Sequence, residues 1–231
     1  MNKLYKAVLL ATLGLAGMAT ARAADYNGDL LIGFTSGTGN DLIYDLGAAS
    51  SLSDGQTWDL TSLLTGYNLN TVNWGVIGDV NFGGVRTAWI TTEGAATPNS
   101  IPSLAAWSPI YLATKAIYQN FDTAGSGQFQ LVDSTFASSW NQETTINGLG
   151  NSGSYISNEG NPNVTGPTSA NVFGMVANGS APSLAGNFSL DNTGVLTFSV
   201  SQVPEPGAAS LIGGGALLLL ALRNKFRRPQ S

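Results

Sequence analysis

The sequence of 231 residues contains neither cysteine nor histidine, and these two absences exclude many kinds of functional site. Without cysteine there can be no disulfide, thiol nucleophile, iron–sulfur cluster or acylated lipoprotein cysteine. Without histidine there can be no Ser-His-Asp triad and no histidine-ligated zinc site. A hydrophobic core must therefore stabilise the fold, and the length is sufficient for one sizeable domain together with sorting segments.

Charged residues are also scarce, at 10% of the chain, and the basic ones are concentrated at the two ends. Only Arg86 and Lys115 lie between residues 24 and 202, whereas thirteen acidic residues lie in that range and give it a net charge of −11. Because a segment this acidic repels a phosphate backbone, we expect no binding to nucleic acid.

The first 23 residues have the three parts of a secretory signal peptide. Two lysines lie within the first six residues, residues 7–18 form an uncharged and mostly apolar run, and Ala21 and Ala23 supply a small-x-small cleavage site. This pattern predicts a signal peptide over residues 1–23, export by the general secretion machinery, and cleavage by signal peptidase before Ala24. The alternative, an uncleaved signal anchor, is disfavoured because the apolar run is short.

The C-terminal end also has three adjacent parts. Residues 203–207 read Val-Pro-Glu-Pro-Gly, residues 208–222 carry no charge, and residues 223–228 are rich in basic side chains. The uncharged run predicts a short transmembrane helix, because about 15 residues rise roughly 22 Å against a hydrocarbon core of about 30 Å. The basic residues should stay cytoplasmic, which would place the preceding chain outside. These residues are Arg223, Lys225, Arg227 and Arg228.

The order of these parts resembles the PEP-CTERM sorting signal of exported proteins in Gram-negative bacteria. The resemblance covers residues 203 to about 228 and is centred on Pro204, Glu205 and Pro206. It implies recognition by an exosortase, a membrane-embedded transpeptidase-like enzyme that cleaves near the motif and passes the protein to the cell surface or exopolysaccharide matrix. The alternative is an ordinary single-span anchor with a proline-rich stalk, which would usually be longer and would not need this motif.

Short apolar runs separated by Gly, Asn and Asp turns predict antiparallel hairpins in residues 24–202. The expected pairs are 29–35 with 41–46, 74–78 with 86–92, and 187–190 with 195–200. A series of such hairpins predicts a mainly β domain, built as an antiparallel β-sandwich or jelly roll.

One segment of this domain has helical periodicity instead. Ser108 can cap a helix, and Pro109 suits the first helical position. The buried face of the predicted helix comprises Ile110, Ala113, Thr114, Ile117 and Phe121. Residues 139–170 are rich in Asn, Gly, Ser and Thr, and we expect them to form long loops.

Two segments resemble fragments of calcium sites. Residues 36–44 resemble one calcium-binding nonapeptide, but a single copy cannot complete a site, and a hairpin turn explains the same residues. Residues 122–133 resemble a degenerate EF-hand loop, with Asp122, Ser126 and Asp133 as weak candidate ligands. Because this loop offers only two carboxylates, we favour a helix-to-strand turn and expect no metal or cofactor.

Paired carboxylates that hydrolyse glycosides are the catalytic groups best suited to a chain without histidine. Asp41 with Asp45, and Glu143 with Glu159, are candidate pairs, although neither pair lies in a recognisable motif. Tryptophans could provide a sugar-stacking face, but aromatic residues in β-sandwiches more often lie in the core. The five tryptophans are Trp58, Trp74, Trp89, Trp107 and Trp140.

These observations favour an exported cell-surface or matrix protein that has no catalytic activity of its own and contacts exopolysaccharide. Many weak hydrogen bonds from polar loops would add through avidity. The alternative is a carbohydrate-binding or carboxylate-dependent carbohydrate-active protein, which would need two carboxylates in one cleft beside an exposed aromatic residue.

Overall fold

A computed structural model of the chain describes residues 28–82, 85–93, 97–98, 103–121, 125–146 and 162–200. No helix within these ranges is long and apolar enough to cross a membrane. The signal peptide predicted over residues 1–23 and the sorting segment predicted over residues 203–228 lie outside them, together with the transmembrane helix expected over residues 208–222.

The described residues form one antiparallel sheet of ten strands. Nine of them follow the order β3-β10-β9-β8-β5-β4-β1-β2-β6, and β7 pairs separately with β4. The strands are β1 (Asp29–Thr35), β2 (Asn40–Ala48), β3 (Thr57–Asp59), β4 (Asn73–Phe82), β5 (Val85–Glu93), β6 (Phe129–Asp133), β7 (Val164–Thr165), β8 (Ser169–Val176), β9 (Ser183–Leu190) and β10 (Val195–Val200).

The mainly β, antiparallel architecture predicted from the sequence is confirmed, but the described strands belong to one curled sheet and not to two separate sheets. Leu30 on β1 and Phe198 on β10 line a common cavity, although their strands are five places apart in the sheet order. The sheet therefore curls until its two halves face each other, as accumulated strand twist allows in large sheets.

The three hairpins predicted from turn residues are confirmed. β1 pairs with β2 across residues 36–39, and β9 pairs with β10 across residues 191–194. β4 pairs with β5 from Ile77 opposite Ile90 to Phe82 opposite Val85. The less local pairs include β2 with β6, β5 with β8, and β10 with β3, and the last of these brings β10 against residues 57–59.

Helix α1 (Leu104–Tyr118) confirms the predicted helical insertion, but it begins earlier than expected. Pro109 is therefore inside the helix and not at its first position. The additional N-terminal turn buries Trp107, whose ring stacks on Tyr111 at a centroid distance of 4.9 Å. Burial of this large aromatic surface stabilises the turn that starts at Leu104, and it outweighs the preference of Pro109 for the first helical position. Ile110, Ala113, Thr114, Ile117 and Phe121 are buried, as predicted.

Residues 139–170 are not loop throughout, contrary to the expectation from composition. A π-helical turn, Asn141–Ile146, follows Trp140, and β7 pairs with β4. Ser139 stabilises the start of the π-helical turn, because its hydroxyl accepts a hydrogen bond from the Gln142 N–H at 3.2 Å. Local polar composition predicted a loop because Asn, Ser and Thr favour turns when no tertiary contact holds them in a helix.

Both faces of the sheet are covered by apolar side chains. The inner core fills the concave side of the curl and combines residues from both halves of the sheet, including Ile32, Phe34, Trp74, Val172, Phe188 and Leu196. The outer core lies between the opposite face and α1, and includes Leu31, Ile43, Ile77, Ile90, Ile117 and Trp140. Full burial of each such side chain contributes about 1.5–3 kcal/mol to folding.

A glycine in the middle of β1 allows the outer core to close. Gly33 lies beneath Trp140, and a Cβ atom added to Gly33 would overlap the Trp140 indole ring. The Trp140 ring is fully buried and donates from Nε1 to Asn163 Oδ1 at 2.7 Å, so it has little freedom to move. The packing of β1 against residues 134–146 therefore depends on the absence of a side chain at position 33.

We expect Gly33→Ala to lower the free energy of unfolding by about 1–3 kcal/mol, the usual cost of overpacking a core. The measurement is chemical denaturation followed by tryptophan fluorescence. Gly66→Ala is the matched control, because a Cβ at Gly66 would meet no atom within 4 Å. Equal stability of the two variants would show that Trp140 does not depend on Gly33.

Candidate functional site

Three aspartates are buried on the outer face of the sheet, where carboxylates are least expected. Asp41 and Asp45 lie on β2 and Asp79 lies on β4. Side chains alternate along a strand, so these aspartates share a face with the outer-core residues Ile43 and Ile77. Asp41 and Asp45 are fully buried, and only 4% of Asp79 is exposed. Buried carboxylates are costly unless hydrogen bonds compensate.

Asp45 holds the turn that precedes β6. Its Oδ1 accepts from the Gly47 N–H at 2.7 Å, and its Oδ2 accepts from the Gly125 N–H at 3.2 Å. Its backbone N–H donates to Gln128 O at 2.9 Å, and the Gly127 N–H donates to Asp45 O at 2.8 Å. Burial raises the pKa of Asp45, and the hydrogen bonds that its carboxylate accepts from the Gly47 and Gly125 N–H groups oppose that rise. Asp45 therefore acts as an anchor for residues 125–128.

Asp41 anchors a different segment. Its Oδ2 accepts a 2.6 Å hydrogen bond from the N–H of Asn141, the first residue of the π-helical turn. Burial raises the pKa of Asp41, and the hydrogen bond from the Asn141 N–H opposes that rise, whereas Oδ1 of Asp41 is buried without a hydrogen-bond partner in the described part of the chain. A carboxylate at the start of a helical turn compensates the unpaired amides there.

The candidate catalytic pairs do not form an open cleft in the described residues. Asp41 and Asp45 are both inaccessible to solvent, and each holds a separate backbone segment. Glu143 lies half-buried in the π-helical turn, and burial raises its pKa. Glu159, its candidate partner, lies outside the described residues.

The residues proposed as weak calcium ligands have other partners where they are described. The Ser126 hydroxyl donates to Leu46 O at 3.2 Å. The exposed carboxylate of Asp133 accepts from the Thr135 N–H and hydroxyl at 2.9 and 2.7 Å, and these bonds lower its pKa. Asp122 lies outside the described residues. No group of three or more acidic side chains in the described ranges could hold a metal ion.

Four of the five tryptophans lie in the core, as the sequence analysis favoured. Trp58, Trp74, Trp107 and Trp140 are at most 7% exposed. The indole of Trp74 donates to Gly166 O at 2.8 Å. Trp89 on β5 differs because it is only half-buried and lines a cavity at one end of the inner core.

That cavity has a volume of about 140 Å³ and is partly open to solvent; its lining side chains are aliphatic or aromatic, whereas polar atoms make up about half of its exposed surface. It lies where the two halves of the curled sheet meet, and the segment after β2 closes one side. Its lining consists of Leu30, Ala49, Leu52, Trp89, Val172, Ala185, Phe198 and Val200. The sequence did not predict this cavity, because its walls come from distant strands.

Asp79 is the other site that sequence analysis missed. Its Oδ2 is buried and has no hydrogen-bond partner in the described part of the chain. Burial raises the pKa of Asp79 to about 7. Burial raises the pKa of the nearby Tyr118 phenol, and the negative charge of Asp79 raises that pKa further. An acidic residue within the apolar run of residues 76–80 was the available signal.

No protein family model matches this sequence, and no curated protein or solved structure is detectably similar to it.

The buried Asp79 predicts a loss of stability with rising pH. In the unfolded chain this carboxyl ionises near its ordinary pKa of 3.8, whereas in the folded protein it ionises near 7. Folding therefore becomes less favourable between about pH 4 and pH 7, by roughly 4 kcal/mol at about 1.36 kcal/mol per pKa unit. We expect Asp79→Asn to remove much of this dependence and to stabilise the protein more at pH 8 than at pH 4.

Urea denaturation at a series of pH values measures this effect. Asp133→Asn is the control, because Asp133 should affect the pH dependence of the free energy of unfolding in the opposite direction. Hydrogen bonds lower the pKa of Asp133, so its stabilising contribution is lost as the pH falls. A pH profile for Asp79→Asn that parallels the wild type would contradict the role assigned to Asp79.

Proposed function

We propose that the chain is an exported cell-surface or exopolysaccharide-matrix protein that is processed at both ends and has no catalytic activity of its own. The observation that carries this proposal is the C-terminal order of a Val-Pro-Glu-Pro-Gly motif, an uncharged run and a basic tail over residues 203–228. In this proposal signal peptidase removes residues 1–23, and an exosortase acts near Pro204-Glu205-Pro206. Residues 208–222 hold the intermediate in the membrane until that cleavage.

The position of the last described strand supports a processing motif that lies outside the folded domain. β10 ends at Val200 and is paired with β9 on one side and β3 on the other. The motif begins three residues later, at Val203. Proline at two of its positions disfavours pairing with the sheet, because proline lacks the backbone N–H. A processing enzyme could therefore act on the motif without unfolding the domain.

The surface of the domain supports contact with a hydrated, uncharged polymer. Arg86 and Lys115 are the cations of the described ranges, and both are engaged locally. Arg86 donates to Asn81 Oδ1 at 2.9 Å and lies over the Trp107 ring, and Lys115 lies 5.7 Å from the Tyr111 ring centroid. Exposed turns of Gly, Ser, Thr and Asn remain to provide many weak hydrogen bonds.

A carbohydrate-binding or carboxylate-dependent carbohydrate-active protein is the alternative function. Its support is weaker because Asp41 and Asp45 are buried and four of the five tryptophans lie in the core. Hydrolysis of a polysaccharide by the purified domain, lost in an Asp or Glu variant, would favour the alternative over the matrix proposal.

Processing at both ends gives the first test. We expect the protein recovered from the cell surface or medium to begin at Ala24 and to lack the basic tail, because both cleavages precede release. Intact-mass spectrometry measures both ends at once. Recovery of Arg227 and Arg228 in the released form would contradict sorting by cleavage near residue 205.

Substitution in the motif gives the second test. We expect Glu205→Ala, or deletion of residues 223–228, to retain the protein in the membrane fraction without lowering the melting temperature of the domain, since β10 ends before the motif. Gln202→Ala, just outside the motif, is the matched control and should be released normally. Normal release of both Glu205→Ala and the deletion variant would refute recognition of the motif.

A further inference from the structure

We propose that Asn178, in the turn between β8 and β9, is a site of spontaneous covalent modification at which the asparagine is converted to aspartate or isoaspartate. This inference goes beyond the proposed sorting function and does not depend on it. It rests on the position of Asn178, on the hydrogen bonds of its side chain, and on the glycine that follows it.

Asn178 lies in an exposed turn beside an unhindered backbone nitrogen. β8 ends at Val176, β9 begins at Ser183, and residues 178–180 between them are exposed. Gly179 has a φ of +82°, in the left-handed region that favours glycine. No side chain therefore shields the Gly179 nitrogen, and its N–H donates no hydrogen bond within the described residues. This nitrogen is free to act as a nucleophile.

Two donors hold the side-chain carbonyl of Asn178 in position. Its Oδ1 accepts from the Ser180 N–H at 2.9 Å and from the Ser180 hydroxyl at 2.5 Å. Because both donors belong to the second residue along the chain, the side chain folds back over the intervening peptide, which contains the Gly179 nitrogen. Donors on a carbonyl oxygen also stabilise the negative charge that develops when a nucleophile adds to the carbon. These contacts favour attack of the Gly179 nitrogen on Asn178 Cγ.

The reaction consumes water and needs no other reactant. The Gly179 nitrogen loses its proton and forms a bond to Asn178 Cγ, and the Cγ–Nδ2 bond breaks with release of ammonia. Water then opens the resulting succinimide ring at one of its two C–N bonds. Cleavage of the new bond gives aspartate, whereas cleavage of the original peptide bond gives isoaspartate. Each conversion replaces a neutral amide by a carboxylate and makes the acidic domain more negative.

Asn192 provides a matched comparison within the same chain. It is also exposed, in the turn between β9 and β10. The next residue is Thr193, whose β-branched side chain crowds its backbone nitrogen. The Thr193 N–H also donates to Asp191 Oδ1 at 2.8 Å. Because the nitrogen after Asn192 is both hindered and engaged, Asn192 should persist while Asn178 converts.

The test incubates the purified, folded full-length protein in mildly alkaline buffer. Peptides are then mapped by mass spectrometry, with fragmentation that locates the change and distinguishes aspartate from isoaspartate. We expect residue 178 to gain the mass difference between an amide and a carboxyl group, as a mixture of both products, and Asn192 to stay unchanged. Mildly acidic buffer should slow the conversion, because the Gly179 nitrogen must lose its proton.

Three variants test the assignment. Gly179→Ala should slow the conversion at least tenfold, because a methyl group would shield the nitrogen. Gly37→Ala is the matched control and should leave the rate unchanged, since Gly37 has a similar φ of +75° and a Cβ there would meet no atom within 4 Å. Ser180→Ala removes the hydroxyl donor and should slow the conversion severalfold, which gives a second reading if Gly179→Ala disrupts the turn.

Four results would each overturn the proposal. They are an unchanged residue 178 after incubation of the folded protein, equal rates at Asn178 and Asn192, a Gly179→Ala variant that converts as fast as Gly37→Ala, and an undiminished rate in Ser180→Ala.

Discussion

One sheet must bury both of its faces, and this constraint governs the whole domain. The chain has no cysteine for a disulfide, so stability has to come from apolar burial. The sheet meets the constraint in two ways: it curls so that its halves share the inner core, and it places α1 and residues 134–146 over the other face. Close approach on both faces needs positions without side chains. Gly33 under Trp140 and Gly186 under Phe198 supply them.

The buried aspartates follow from the same constraint. Irregular segments that cover a sheet bring backbone N–H groups into a dry environment, where each needs an acceptor. Asp41 and Asp45 provide acceptors for Asn141, Gly47 and Gly125, so both carboxylates tie covering segments to β2. Oδ2 of Asp79 accepts no such hydrogen bond in the described residues, and burial raises the pKa of this carboxyl to about 7. These contrasting environments show that burial of a carboxylate does not by itself identify a catalytic group.

Local chemistry explains which parts of the fold could be predicted. Turn residues predicted the three hairpins, since the preference of Gly, Asn and Asp for a turn depends on a local sequence of about four or five residues. The same reasoning could not predict that β10 pairs with β3, because Leu196 and Trp58 are far apart in sequence. It also misplaced the start of α1, because the preference of Pro109 for a first turn is weaker than the burial of Trp107. Of the candidate sites, the sequence identified Asp41 and Asp45 as notable but could not supply their distant partners Asn141 and Gly125, which lie 100 and 80 residues away.

The distribution of charge distinguishes the folded domain from the two segments that we propose to be sorting signals. Basic residues are concentrated in the first 23 residues and in residues 223–228. Positive charge at these positions is typical of a signal peptide and of the cytoplasmic side of a membrane segment. Between them the two cations Arg86 and Lys115 lie over aromatic rings. If processing removes both ends, it also removes most of the positive charge and leaves a strongly acidic domain. Such a domain would be repelled by anionic membrane surfaces and by other copies of itself, which favours dispersal into a hydrated matrix over retention at the membrane.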